Sequence, residues 1–431
     1  MGTSIELVIE HVSLSYSKNS MGMDYGFLFQ KEDLVRRPSD QLDYDYFKDN
    51  GDDEEVAQHE EGFARRLSGI LRRLELSGYS LDAARYEYEA VISDEADIDD
   101  SVESASKFLS FDDFCKLACR YPLKGLSNEY IEYDSVDRDR LSQGRFALNI
   151  ELFDKLPFSN GLYWSEASYV SARLCILSAE SMLQVFGLNP QNLDAEVVWQ
   201  FGPIVTSGWV KRDLFQAGAT RRQALLVATE GASDARILRH ALDILRPDVA
   251  DFFRFIDGNE RHHFWGTGNL VKFAEGLLRI DVHNLVLFLF DNDAEGVDAY
   301  RKMLELNLPA NMRSMVLPDL NDLRAFPALG PEGVQICDIN GRAAAIECYL
   351  DLRVPGYPSA RVVWSNYKRD IDAWHGALEY KESYTKHFMA QEAASLTNGE
   401  YDVSKLSTLL EALIAEASAL IGPLRLALDV E

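Results

Sequence analysis

The chain has 431 residues, of which 47% are hydrophobic and 26% charged, so it is long enough for two or three domains and has an ordinary globular composition. Its formal net charge of −27 excludes nonspecific coating of nucleic acid or of an anionic membrane, because both need an excess of Lys and Arg. Residues 1–150 hold 32 acidic and 17 basic residues, whereas residues 208–279 hold 9 and 11. A nucleic-acid substrate would therefore have to be recruited locally.

The cysteine content and the N-terminus bear on localisation. Five dispersed cysteines without a CxxC pair indicate reduced thiols. Glu6 and Glu10 stand where a signal peptide would need an apolar core, and no apolar run is expected to approach the ~20 residues of a membrane span. We therefore expect a soluble, cytoplasmic protein.

The first half of the chain mixes strand and helix patterns. Alternating or short apolar runs predict strands over 5–16, 26–30 and 145–152. Helical spacing predicts helices from Glu60 onward and over 81–92, 111–120 and 165–186. An acidic solvated loop is expected over 40–55, and a connection runs from Pro190 to about Thr220. These patterns predict an α+β N-terminal region with a helical bridge, residues 1–220.

Four arginines lie on the first predicted helix, opposite its apolar face: Arg65, Arg66, Arg72 and Arg73. They could form a nucleic-acid-binding face. Since the surrounding sequence is strongly acidic, we favour the alternative that they form intramolecular ion pairs.

Beyond residue 222 strands and helices alternate strictly. The predicted elements are strands over 224–229, 251–256, 284–290 and 312–317 and helices over 233–245, 269–279 and 294–306. Such alternation implies parallel strands joined by right-handed crossovers. We predict an α/β, Rossmann-like domain with a parallel sheet over 221–352, followed by a helical C-terminal extension over 353–431.

Two of these strands stop at acidic residues. The first ends at EGASD, which places Glu230 and Asp234 after it, and the third ends at DNDAEG, with Asp291 and Asp293. Parallel neighbours would bring all four carboxylates to one carboxyl edge, where open α/β sheets place their sites. Hard divalent cations prefer such oxygen ligands, and two ions can clamp the attacking and leaving oxygens of a phosphodiester. The sequence thus predicts a site for Mg²⁺ or Mn²⁺, with two ions.

The pair of motifs resembles the EGxxD and DxDxxG motifs of the TOPRIM domain, which is found in topoisomerases, primases and nucleases of the OLD family. The resemblance implies that residues 221–352 form a TOPRIM domain. It also implies that Glu230, Asp234, Asp291 and Asp293 are the catalytic and metal-binding acids, with Glu230 acting as general acid/base or metal ligand.

A further resemblance concerns AAAIECYL, residues 343–350, which is similar to a segment that supplies another metal-binding acid in OLD-like nucleases. It implies that Glu347 joins the site; the alternative is a surface glutamate on an amphipathic helix. OLD-like enzymes also use a lysine beyond this point, and Lys381 and Lys386 are the candidates here.

The N-terminal opening, residues 5–30, resembles a domain that precedes either HEPN or TOPRIM modules in bacterial proteins associated with conflict with phages. We considered whether RDIDAWH, residues 369–375, is a HEPN ribonuclease motif. Too few residues follow the TOPRIM-like segment for a complete HEPN bundle, so a partly buried helix with an ion pair is preferred.

Other candidates carry less information. Gly266 to Gly268 could hold a phosphate at a helix N-terminus, but a turn capped near Asn269 is preferred. His262 and His263 could contact substrate, although paired histidines in a loop are usually polar surface residues without a specific role. No Walker A motif is present, so an ATPase of the kind found in OLD proteins would have to be a separate partner chain.

These observations predict a metal-dependent nuclease that hydrolyses phosphodiester bonds in DNA or RNA, with an anti-phage effector role implied by the resemblance. The expected partners are the nucleic-acid substrate, a separate ATPase or sensor protein and a second copy of the chain, with no membrane. Two alternatives stay open: a topoisomerase- or primase-like enzyme, and a non-catalytic TOPRIM module that binds a nucleotide or a protein.

Overall fold

The structure is a computed structural model that describes residues 2–50, 52–98, 107–131, 144–158, 162–256, 267–280, 282–368 and 373–428. The chain divides into two compact units. The first comprises Met1–Ala219 together with the last residues from Arg425, and the second comprises Thr220–Leu424. Each unit is described by itself.

The first unit is built on a five-stranded antiparallel sheet with the order β2-β1-β5-β4-β3. Its strands are β1 (Ser4–Ile9), β2 (Val12–Lys18), β3 (Leu34–Arg36), β4 (Glu61–Arg66) and β5 (Glu196–Gln200). The central strand β5 lies in the segment that the sequence predicted to be a connection, so that prediction is wrong. Val197 and Trp199 of β5 point into the core, whereas Val198 and Gln200 point to the opposite face.

Helices pack against this sheet and bury a core rich in aromatic residues. They are α1 (Tyr44–Asn50), α2 (Asp53–His59), α3 (Leu67–Glu75), α4 (Leu81–Ile98), α5 (Phe111–Ala118), α6 (Ile150–Phe153), α7 (Glu166–Leu174), α8 (Ala179–Gly187) and α9 (Gly202–Thr206). The unit is therefore α+β, as predicted. Several local predictions are wrong. Residues 26–28 and 147–153 are helical turns and not strands, and the expected acidic loop contains α1 and the start of α2. The helix predicted from Glu60 begins only at Leu67, because Glu61–Arg66 forms β4.

The predicted helix over 165–186 is interrupted between α7 and α8. Ser178 caps α8 by accepting a hydrogen bond from the backbone N–H of Ser181. Its own hydroxyl donates to Glu87 of α4 over 2.9 Å. Since Glu87 is distant in sequence, this helix start depends on tertiary structure.

The arginines near α3 are used inside the unit. Arg73 is fully buried and donates to the carbonyl oxygens of Phe27 (2.8 Å) and Phe29 (3.1 Å). Arg65 pairs with Asp33 at 2.9 Å. Arg66 and Arg72 pair with Asp194 and Glu75. The intramolecular ion pairing that we favoured is confirmed for Arg65, Arg66 and Arg72. Arg73 bonds instead to backbone carbonyl oxygens.

The second unit contains a parallel four-stranded sheet with the order β10-β8-β6-β7. Its strands are β6 (Leu225–Thr229), β7 (Phe253–Phe255), β8 (Val286–Phe290) and β10 (Met312–Val316), and the helices between them are α10 (Ala232–Leu245), α11 (Thr267–Arg279) and α12 (Ala294–Leu304). All five residues of β8 are buried, so both faces of the sheet are covered. Val286, Phe288 and Phe290 face the cluster formed with α11 and α12.

A mixed sheet, β12-β11-β14-β15, follows in the second unit. Its strands are β11 (Phe326–Gly330), β12 (Gly333–Cys337), β14 (Val362–Lys368) and β15 (Ala373–Leu378), and the helices after it are α13 (Lys381–Met389), α14 (Ala393–Thr397) and α15 (Ser404–Leu428). The C-terminal segment is thus helical from Lys381 onward, whereas 362–368 and 373–378 are strands, which corrects the prediction there. His375 lies on a strand and not on a helix, and Arg369 lies outside the described residues.

One described helix segment, Ser404–Leu424, is long and apolar enough to cross a membrane by length and composition alone. This corrects the expectation that no apolar run approaches such a length. Leu406, Leu409 and Leu413 on it are fully buried, and 44% of the segment is buried. A helix with such buried positions is consistent with a soluble protein.

The central place of β5 leads to a prediction about stability. Trp199 is 1% exposed and contacts Tyr25, Phe201 and Phe215 edge-on. We expect Trp199→Ala to lower the free energy of unfolding by about 3–5 kcal/mol, because it empties the core next to the central strand. Urea unfolding followed by circular dichroism measures this. Trp209→Ala, at a side chain that is 52% exposed, is the matched control and should change little; equal effects of the two would contradict the account.

Candidate metal centre

The acidic strand ends are neighbours. β6 and β8 pair in parallel with Thr229 opposite Leu289, so Glu230 and Asp291 follow the two strands at one edge. The backbone N–H of Asp291 donates to Oε1 of Glu230 over 3.1 Å. The two motifs, 61 residues apart in sequence, therefore meet directly.

The turn after β6 fixes Asp234 in the first turn of α10. The backbone N–H of Gly231 donates to Oδ2 of Asp234 over 2.9 Å, and the Ser233 hydroxyl donates to Oδ1 over 3.1 Å. Asp234 is only 8% exposed. A carboxylate in this position accepts hydrogen bonds from N–H groups at the start of the helix. Helix capping alone would therefore favour an acidic residue at position 234.

The turn after β8 fixes Asp293 in the same way. Its Oδ1 accepts hydrogen bonds from the backbone N–H groups of Glu295 (2.9 Å) and Gly296 (2.7 Å), so it caps α12. Because Gly296 has no side chain, the backbone at this position can lie close to Asp291 and Glu230. A Cβ there would overlap the carbonyl oxygen of Asp291 and lie 2.9 Å from Oε1 of Glu230.

Glu347 is brought to the same place by a short pair of strands. β9 (Asn292–Asp293) pairs with β13 (Ala343–Ala344), and a 3₁₀ turn, Ile346–Tyr349, follows directly. The backbone N–H of Ile346 donates to Oδ1 of Asp291 over 3.1 Å. Glu347 is 4% exposed, so the alternative of a surface glutamate on an amphipathic helix is wrong.

The acids interact strongly enough to perturb one another. Burial, and then the charges of Asp293 and Asp234, raise the pKa of Glu230 from its ordinary 4.5 to about 8. Burial and Glu347 raise the pKa of Asp234 to about 6, although the hydrogen bonds from Gly231 and Ser233 oppose the rise. Burial and the other four carboxylates raise the pKa of Asp291 well above its ordinary value. The site therefore holds protons at neutral pH unless another positive charge replaces them.

Of the two candidate lysines, Lys381 is electrostatically linked to the acids. It begins α13, and its positive charge lowers the pKa of Asp234. Both Lys381 and Lys386 are exposed. For Lys386 the structure gives no link to the acidic cluster within the described residues.

Sequence reasoning missed Asn292, which stands between the two aspartates of DNDAEG. Its side chain is 3% exposed, donates to Oδ1 of Asp319 over 2.7 Å and accepts from the backbone N–H of Gly341 over 2.8 Å. It thereby ties the segment that carries Glu347 to the end of β8. Its position between the two aspartates of the motif was the feature of the sequence that could have identified it.

The donor chemistry fits a hard divalent cation. All five side chains offer carboxylate oxygens, and the raised pKa values of Glu230, Asp234 and Asp291 mark a site short of positive charge. Within the described residues, no three His, Cys, Asp or Glu side chains are grouped so that they could hold one ion as they stand. Four of the acids instead each accept a hydrogen bond from a backbone N–H.

Two other sequence candidates can be placed only in part. His262, His263 and Gly266 lie outside the described residues. The helix expected from Asn269 begins at Thr267, so Gly268 is inside α11 and not in a turn before it.

Comparison with known families is informative for the first unit. Residues 1–223, more than half of the chain, match the family HEPN/Toprim N-terminal domain 1. The chain belongs to this family. No curated protein and no solved structure matches the chain. The HEPN/Toprim N-terminal domain covers the antiparallel sheet from β1 to β5 and ends just before β6, so it does not include the acidic cluster.

The close packing at Gly296 gives a first prediction for this site. Gly296→Ala should destabilise the protein by about 1–3 kcal/mol, because the new methyl group overlaps backbone of the motif. Gly276→Ala is the matched control: it also lies in a helix, its Cβ meets nothing within 4 Å, and it should be neutral or stabilising. Thermal unfolding of both variants checks the prediction. It would be contradicted if Gly296→Ala changed the melting temperature as little as Gly276→Ala does.

The shortage of positive charge beside the acids gives a second prediction for this site. Between pH 4.5 and about 8 the folded chain keeps a proton on Glu230 that the unfolded chain has lost, so metal-free stability falls as the pH rises through this window. Glu230→Gln should flatten that decline and melt higher than wild type above pH 8. The measurement is the melting temperature in EDTA across the window. Asp243→Asn, at an exposed acid of α10, should follow wild type; an unchanged slope in Glu230→Gln would refute the coupling.

Proposed function

We propose that this chain is a TOPRIM-type, metal-dependent nuclease that hydrolyses phosphodiester bonds in DNA or RNA. The observation that carries the proposal is the meeting of Glu230, Asp234, Asp291, Asp293 and Glu347 around the ends of two adjacent parallel strands. Parallel α/β sheets place their sites at this edge. The family's name, which pairs its domain with Toprim, is consistent with a nuclease-like role.

The five acids would hold Mg²⁺ or Mn²⁺, with two ions and Glu347 completing the second position. When bound, such ions supply charge to the scissile phosphate and make a water nucleophilic near neutral pH. The chain's own contribution is orientation and proton transfer. Glu230, whose Oε1 accepts a hydrogen bond from the backbone N–H of Asp291, would serve as the general acid/base or as a metal ligand.

Lys381 would stabilise negative charge on the phosphate, in the role that the OLD-family resemblance implies. Its electrostatic link to Asp234 supports this choice over Lys386. The OLD comparison also implies an ATPase, and the sequence lacks a Walker A motif. An ATPase or sensor protein would therefore act as a separate partner.

The charge distribution limits how substrate arrives. A protein with a net charge of −27 repels nucleic acid at long range, so binding must depend on metal and on the less acidic segment 208–279. This weak intrinsic attraction for nucleic acid suits an effector that is inactive until a trigger or partner is present. We propose a cytoplasmic role in anti-phage defence, with the N-terminal unit as the regulatory part.

A cleavage assay tests the function. The full chain is incubated with supercoiled DNA, linear DNA and total RNA in Mg²⁺, Mn²⁺ or EDTA. We expect metal-dependent cleavage that falls on the order of 100-fold or more in Asp234→Asn and in Asp291→Asn, because each removes a charge that holds metal. Asp243→Asn, on the same helix as Asp234, is the matched control and should stay active.

Three other outcomes would overturn the proposal. Cleavage that survives both substitutions would place the chemistry elsewhere. Relaxation of supercoiled DNA without new ends would favour a topoisomerase-like enzyme. Metal binding without cleavage of any substrate would favour a TOPRIM module that only binds.

A further inference from the structure

The first unit has a cleft on the sheet face that points away from its core. The outward side chains of β1 and β5, Glu6, Val8, Val198 and Gln200 among them, form its floor. Residues of α7 form one wall and residues 39–41 lie at the rim. The cavity has a volume of about 910 Å³, which is within the range of ligand-binding clefts.

Large aromatic side chains line this cleft and remain open to solvent. Tyr16 is 60% exposed, Phe158 52% and Trp164 51%. Single exposed aromatic residues are common on protein surfaces, but three around one cavity form a patch typical of binding sites. The planar rings can hold an apolar chain or a cation over their faces.

The charges of the cleft have one sign. Glu6, Glu10 and Asp40 line it, whereas among the described residues no Lys or Arg does, and His11 is the single residue there that can become positive. One oxygen of Glu6 accepts from the Ser13 hydroxyl, and one oxygen of Glu10 accepts from the backbone N–H of Glu196. The sheet thus orients the two glutamates, and no basic residue among the described lining residues neutralises them.

We propose that this cleft binds an extended, basic segment of a partner protein, with Arg or Lys side chains lying between the aromatic rings and the carboxylates. The arrangement combines two interactions that favour guanidinium and ammonium groups, ion pairing and cation–π contact. It opposes nucleotides, nucleic acid and anionic lipid, since all carry phosphate.

Neutral hydrogen-bonding groups favour a peptide over a free polyamine. Ser39, Gln41, Asn128 and Gln200 line the same cavity. Gln41 and Gln200 already bond to the backbone of Ser4 and Arg37, and Asn128 accepts from the Ser165 hydroxyl. Each amide group can form further hydrogen bonds, which suit the N–H and C=O groups of a peptide backbone. A polyamine has no carbonyl group to accept from them. The proposal concerns the first unit alone and does not depend on the nuclease function.

Fluorescence anisotropy with the full chain tests the proposal. The probe is a fluorescein-labelled repeat peptide of Gly, Arg, Leu and Ser, and its matched partner has Glu in place of every Arg. At ~150 mM salt, where weak surface attraction is screened, we expect binding of the basic peptide only. Trp164→Ala should weaken it about tenfold, because a cation–π contact is lost without a change of charge.

Charge variants and a competitor complete the test. Glu6→Gln combined with Asp40→Asn should also weaken binding, whereas Glu89→Gln, at an exposed residue of α4 outside the cleft, should not. Spermidine should compete poorly. The proposal would be overturned if the basic peptide did not bind, or if Trp164→Ala bound it as tightly as wild type. It would also be overturned if Glu89→Gln weakened binding as much as the cleft variants do, or if spermidine displaced the peptide at equal concentration.

Discussion

Mutual repulsion among closely placed carboxylates, two of them buried, is the constraint on which the second unit depends. Glu230 and Asp291 follow adjacent parallel strands, Asp234 and Asp293 stand at the starts of the helices that come next, and Glu347 is delivered by the β9–β13 pair. A fold that only needed stability would not collect five acids in a region of low exposure, since each charge there costs free energy. Backbone N–H groups at the turns offset part of this cost, and protons or a cation must offset the rest.

The surrounding structure is organised to keep these acids together. Gly296 lets the chain pass beside Asp291 and Glu230 where a side chain would not fit. Asn292 links the end of β8 to Gly341 and Asp319 and so holds the segment that carries Glu347. Lys381 contributes positive charge near Asp234 from α13. The same helix packs against α10 through the contact of Phe388 with His240, so the C-terminal part of the chain lies beside the helix that carries Asp234.

Local patterns in the sequence predicted the elements next to the site well. β6, β8 and α10 were expected within two residues of their observed bounds because apolar runs and flanking acids mark them clearly. Features that depend on distant partners could not be predicted. The strand β5 is short and gains its place from β1 and β4, the break before α8 depends on Glu87, and the burial of Glu347 depends on the pairing of Ala343–Ala344 with Asn292–Asp293.

The central claim is that the five carboxylates take up divalent metal, and Mn²⁺ binding followed by electron paramagnetic resonance tests it most directly. Titrating the full chain near neutral pH, where competing protons are released as metal binds, should remove two ions per chain from the free Mn²⁺ signal. Asp291→Asn should abolish the uptake, whereas Asp243→Asn should retain it. Failure of the wild-type chain to take up Mn²⁺, or uptake that Asp291→Asn leaves undiminished, would contradict the account.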